Sequence, residues 1–237
     1  MNFDFSRKVA IVTGGGRGIG RATAWQLAEA GAQVMICART EAEIHEVTNA
    51  HPSITGLTGD VSDARFVQQL VNATVLKHGR VDILVSNAAI LGRRAFLDLD
   101  AELWDQVMSV NLRGAYLCSR AVFQQMVRQE PSGGSIVHIG SLSGVRGPEK
   151  FPGLAAYNVS KAGIIALSDI LAVEGKPHKI RVNAVSPGAV ETAMLREAGH
   201  GLKALATPED IARTIVFVLS EASYPMTGAN VEILSNA

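Results

Sequence analysis

The chain has 237 residues, 47% of them hydrophobic, and its 22 Lys and Arg balance 22 Asp and Glu to a formal charge of zero. So apolar a composition argues for a packed core rather than disorder, and the lack of a basic excess argues against nucleic acid or an anionic membrane as partner. Two cysteines, Cys37 and Cys118, lack metal-ligand spacing and the density of a disulfide framework, so no metal is expected and small molecules or copies of the chain are the expected partners.

Met1 to Lys8 carries charges at Asp4, Arg7 and Lys8, and the apolar run Val9 to Val12 is too short for a signal-peptide core. No stretch approaches the roughly 20 apolar residues that span a bilayer, so a cytoplasmic location is the simplest expectation. From there, short β-branched runs alternate with helical patterns. The runs Lys8–Thr13, Gln33–Ala38, Ile54–Thr58, Ile83–Ser86, Ser135–Gly140, Arg181–Ser186 and Asn230–Leu234 read as strands covered on both faces. Between them, Ile19–Ala30, Glu41–Asn49, Ala64–His78, Ala101–Arg128, Ala156–Glu174 and Pro208–Ser220 read as helices, the last opened by Pro208 with Thr207 as N-cap. Alternation of this kind predicts an α/β fold, a doubly wound seven-stranded parallel sheet with helices on both faces, in one domain over residues 1–237.

The first strand runs into Thr13-Gly-Gly-Gly-Arg-Gly-Ile-Gly20 and then a helix, which is where a dinucleotide pyrophosphate docks in a Rossmann fold. Glycines suit the tight turn and close approach of phosphate, and the helix start offers free N–H donors. Gly14, Gly16, Gly18 and Gly20, with Arg17 and Ile19 between them, are therefore the candidate cradle. The spacing of Gly14, Gly18 and Gly20 is G-x-x-x-G-x-G. A carboxylate ending the second strand would hold the ribose hydroxyls of NAD, but that strand ends Cys37-Ala38-Arg39. Arg39, helped by Arg17, suits the 2′-phosphate of NADP(H) instead.

Further along come Asp60-Val61, Ser86-Asn-Ala-Ala89, Asn111-Leu-Arg-Gly114, Ser141, Tyr157-Asn-Val-Ser-Lys161 and Pro187-Gly188. In this order, over nearly the whole chain, they resemble the short-chain dehydrogenase/reductase family. Tyr157 and Lys161, at i and i+4, share a helix face, and an ammonium beside a phenol favours phenolate, which predicts a lowered Tyr157 pKa. Ordinary helices also carry Tyr-x-x-x-Lys, so the weight comes from Ser141 at a strand's carboxyl end. Ser143 is its competitor.

The resemblance implies an oxidoreductase that moves a hydride between NADP(H) and a carbonyl or hydroxyl carbon of a small molecule. It implies that Tyr157 is the general acid or base, that Lys161 also holds the nicotinamide ribose, that Ser141 polarises the substrate oxygen and that Asn111 holds a water in a proton relay. It also implies Asp60 and Val61 beside the adenine, Asn87 and Ala88 along the trough, and Val190 and Thr192, after Pro187 and Gly188, near the carboxamide. The same analogy, with apolar residues beyond one stripe in the two long helices, implies a homo-oligomer, tetramer or dimer.

Departures are Ser86 and Ala89 in the N-N-A-G motif, a long loop from Leu142 to Leu154 and a short segment to Thr207. Arg93, Arg94 and Arg146 either recognise an acidic substrate or are solvated. A non-catalytic dinucleotide-binding regulator, and an epimerase or dehydratase using the cofactor transiently, are the alternative functions.

Overall fold

The computed structural model describes residues 3–148, 150–199 and 204–235. Among these, the strands are β1 (Val9–Thr13), β2 (Gln33–Ala38), β3 (Ile54–Thr58), β4 (Ile83–Ser86), β5 (Gly134–Ile139), β6 (Ile180–Pro187) and β7 (Asn230–Ile233). The helices are α1 (Gly18–Glu29), α2 (Glu41–Ala50), α3 (Ala64–His78), α4 (Ala101–Met108), α5 (Gly114–Arg128), α6 (Ala155–Gly175), α7 (Ala193–Ala198) and α8 (Pro208–Leu219). All neighbouring strands are parallel, in the order β3-β2-β1-β4-β5-β6-β7. This is the expected doubly wound sheet.

The central strands β1 and β4 are buried along their whole length, whereas the edge strands β3 and β7 are partly exposed. The pleat sends successive side chains to opposite sides, so Ala10 and Val12 of β1 and Val34 and Ile36 of β2 enter one core, shared with α1, α2 and α8. Ile11, Met35 and Cys37 enter the other, shared with α3, α5 and α6. Cys118 joins that second core, and burial pushes both thiols up, Cys37 to about 12. Caps hold the helix ends. Asp63 accepts from Arg65 N at 2.8 Å to open α3, and Thr207 forms a capping box with Asp210 at α8.

Two expectations need correction. Ala101–Arg128 is not one helix, because a π turn over Ser109–Arg113 separates α4 from α5. Asn111, fully buried there, accepts from Ile90 N at 2.8 Å and donates to Ile90 O at 2.9 Å and Ser160 Oγ at 3.0 Å. These bonds to the segment after β4 and to α6 fix the widened turn, a distortion common near functional sites. Secondly, one helical stretch, Ala155–His178, does have the length and apolarity to cross a membrane. Its inner face buries Tyr157, Lys161, Ile164, Ser168 and Ala172, while Val159, Ile170 and Val173 are exposed.

From β1 the strand order runs outward in two directions, through β2 to β3 and through β4 to β7. That reversal leaves a crevice at the carboxyl ends of β1 and β4, where ligands bind in open α/β sheets.

Candidate active site

A cavity of about 620 Å³ opens in this crevice, walled by the segments that follow β1 through β6. One end is the glycine turn. Gly14 and Gly18 have φ of 64° and 55°, the left-handed region that only glycine enters freely. Gly20 does not line the cavity but lets α1 close on the turn, since a Cβ there would stand 2.2 Å from Gly14 O. Arg17, the N-cap of α1, gives the helix no side-chain acceptor, so its first N–H groups stay available beside Gly18 and Ile19. These open donors, ahead of a 12-residue helix and flanked by Arg17 and Arg39, fit the pyrophosphate of a dinucleotide.

The turn is tied to β4 as well. Asn87 N and Ala88 N donate to Thr13 Oγ1 at 3.0 and 3.1 Å, and Asn87 Nδ2 donates to Thr13 O at 2.9 Å and Gly14 O at 3.1 Å. Asn87 is thus a strand clamp that also lines the cavity with Ala88. Asp60 accepts from Ser62 N at 2.8 Å in a local turn and lines the cavity with Val61. Pro187, Gly188, Val190 and Thr192 form the opposite lip, and Thr192 caps α7 by accepting from Leu195 N at 3.3 Å. Sequence reasoning found no acid beside Arg39. β2 does end without one, but Glu43 of α2 lines this end of the cavity and lies 3.6 Å from Arg17 Nη1. Gly16 faces Glu43 rather than the cavity.

At mid-cavity the carboxyl end of β5 meets α6. Ser141 and Tyr157 are each 9% exposed and Lys161 2%, and all three line the cavity. Burial pushes Tyr157 up to about 12, and the Ser141 hydrogen bond pulls the other way. The expected lowering by Lys161 is absent because Lys161 Nζ donates to Ile139 O at 2.7 Å and lies 5.6 Å from the ring centroid, while desolvation of the phenolate dominates. Burial likewise pushes Lys161 down to about 8. Ser143 lines the cavity too, and its backbone N donates to Ser141 Oγ at 3.1 Å. Asn111 lies outside the cavity lining, where its side chain ties the segment after β4 to α6 through Ile90 and Ser160. In β5, buried His138 bridges Ser119 and Ser168 at 2.7 and 2.8 Å and is pushed down to about 4 by burial.

Beyond Tyr157 the walls turn apolar. Leu91, Leu154, Tyr157 and Ala198 form a third cluster, joined by Phe151 and Met194 from the long loop and α7. No periodicity marked this group in the sequence. Arg93, Arg94 and Arg146 do not line the cavity, whereas Arg196 does. Among the described residues no three His, Cys, Asp or Glu side chains are grouped to hold a metal. A buried phenol with a serine partner and an adjacent buried ammonium, between a phosphate cradle and an apolar pocket, can deliver a proton to an oxygen held there.

Comparison with known proteins agrees. A family model described as short chain dehydrogenase matches residues 8–203. The chain is 38% identical to the short chain dehydrogenase/reductase astE of Aspergillus oryzae, covering 98% of this chain and 95% of that protein. It is 34% identical to carbonyl reductase 2 of Sus scrofa, whose name specifies NADPH, over 98% of this chain and 96% of the other. A short-chain type dehydrogenase/reductase from Mycobacterium marinum superimposes with a TM-score of 0.90 at 31% identity, covering 98% and 96%. The chain belongs to the short-chain dehydrogenase family of oxidoreductases, which act on carbonyl or hydroxyl carbons with a nicotinamide dinucleotide.

Proposed function

We propose that the chain is an NADPH-dependent carbonyl reductase for uncharged, apolar ketones, able to run the reverse alcohol oxidation, and that residues 1–237 act as one cofactor-binding and catalytic unit. The observation that carries this reading is the meeting of Ser141, Tyr157 and Lys161 with the apolar cluster of Leu91, Phe151, Leu154, Met194 and Ala198. Bound there, the reduced nicotinamide would supply the hydride. Ser141 then donates to the carbonyl oxygen and Tyr157 transfers its phenolic proton to that oxygen. Lys161 stabilises the phenolate left behind and is the residue to hold the nicotinamide ribose.

Arg39 and Arg17 support NADPH, Ala38 ends β2 without a carboxylate, and the Sus scrofa relative is named for the same cofactor. A panel of aliphatic, aromatic and carboxylate-bearing ketones, followed by loss of reduced-nicotinamide absorbance with NADPH or NADH, tests the reading. Net NADPH oxidation with the apolar members supports it. Turnover without net oxidation would favour an epimerase or dehydratase, and binding without turnover a regulatory protein.

The proposal extends to assembly. Tyr116 of α5 and Val159, Ile170 and Val173 of α6 are exposed apolar side chains, and a groove between the two helices is lined by Phe123 and Leu171. A second copy covering them gives a dimer or tetramer. Light scattering reads this directly, and a monomeric mass at micromolar concentration overturns it.

A further inference from the structure

The segment Thr40-Glu41-Ala42-Glu43 has the S/T-x-x-E pattern of a capping box, in which the glutamate would reach back to the N-cap. In the structure Thr40 is the N-cap of α2, but its side chain makes no cap hydrogen bond. The Glu43 carboxylate crosses to the glycine turn instead, with Oε1 3.6 Å from Arg17 Nη1. A Cβ on Gly16 would stand 2.8 Å from Glu43 Cβ and 3.0 Å from Oε2, so the third glycine of the turn makes room for this side chain. Glu43, Arg17, Ala38, Arg39 and Thr40 all line the same end of the cavity.

We infer that Glu43 is a cofactor-selectivity residue that opposes the two arginines and limits the preference for NADPH over NADH. The inference rests on the cofactor site proposed above. A 2′-phosphate that pairs with Arg17 meets a carboxylate already paired with the same guanidinium, so binding must break or share that pair and bring like charges together. A 2′-hydroxyl meets no such opposition, because it can donate to the carboxylate. The glutamate is only 28% exposed while Arg17 is 69% exposed, so the arginine is free to turn to a ligand and the carboxylate stays beside it.

The test is direct fluorescence titration of NADPH and NADH with the unmutated protein, Glu43→Gln and Glu41→Gln. Glu41 begins the same helix and pairs with His45 at 3.4 Å, away from the cavity lining, so its variant removes an equal charge from the same turn. Glu43→Gln raises the NADPH to NADH affinity ratio about fivefold, roughly the ceiling for a largely exposed pair. Glu41→Gln moves it less than twofold. An unchanged or lowered ratio in Glu43→Gln, or an equal rise in Glu41→Gln, overturns the inference. The two readings fail separately: if the unmutated protein prefers NADH and Glu43→Gln shifts the ratio toward NADPH, the cofactor assignment falls and the role of Glu43 stands.

Discussion

The end of the cavity beside the glycine turn is built on backbone pinned by the Thr13 and Asn87 side chains, and the end beyond Tyr157 is built from apolar side chains. At the first, Thr13, Gly14, Asn87 and Ala88 are tied together across β1 and β4, and a methyl group on Gly20 would collide with Gly14 O. At the second, the side chains of Leu91, Phe151, Leu154, Met194 and Ala198 come from three separate segments and meet by packing. Hydrogen-bonded backbone tolerates few changes, whereas an apolar wall accepts many of similar volume. Cofactor binding and ketone choice should therefore separate under mutation.

Tyr157 stands on the border between the two ends, and its loss gives the largest effect. Tyr157→Phe keeps the ring in the apolar cluster and removes the transferable proton, so kcat should fall about 100- to 10,000-fold while the NADPH dissociation constant changes little. Full activity would remove Tyr157 from the chemistry. Loss of cofactor binding would show that the two ends are one.

Next comes a matched pair. Arg39→Ala removes a charge-assisted hydrogen bond worth roughly 1.5–3 kcal/mol, so NADPH affinity should fall about 10- to 150-fold. NADH affinity and the KM for an apolar ketone should stay near their original values. Phe151→Ala should do the reverse, raising that KM about tenfold with NADPH binding unaltered in direct titration. If either variant moves both constants together, the separation argued from construction fails.

The same difference explains what could be read from the sequence. Ile83–Ser86 lies where its apolar run puts it, because a strand buried on both faces is apolar nearly throughout. The glycine turn was legible for a similar reason, since only glycine fits its geometry. Within Ala101–Arg128 the residues Ser109 to Arg113 carry no helix breaker, so the π turn was invisible; it arises from the long-range bonds of Asn111 to Ile90. Glu43 was hidden because its sequence context reads as a helix cap. The apolar pocket could not be seen, because its members share no period and meet only once β4, β5 and β6 are adjacent.

The smallest expected effect near neutrality is a pH response set by Lys161. Burial disfavours its charged form, so the pKa lies at about 8, below that of a lysine in water. The ammonium is the form that stabilises a phenolate as Tyr157 gives up its proton, and it is lost as pH rises. The kcat/KM for NADPH, which reports the free enzyme, should be level below neutrality, fall only about twofold between pH 7 and pH 8 and about fivefold more to pH 9, and approach tenfold per unit beyond. Tyr157, pushed up to about 12 by its own burial, stays protonated through this range and contributes no break. Lys161→Arg supplies a charge that does not titrate, so whatever activity it retains should be level to pH 10. A break left in place by that substitution would belong to another group, and an unmutated profile level to pH 10 would mean that Lys161 remains charged despite its burial.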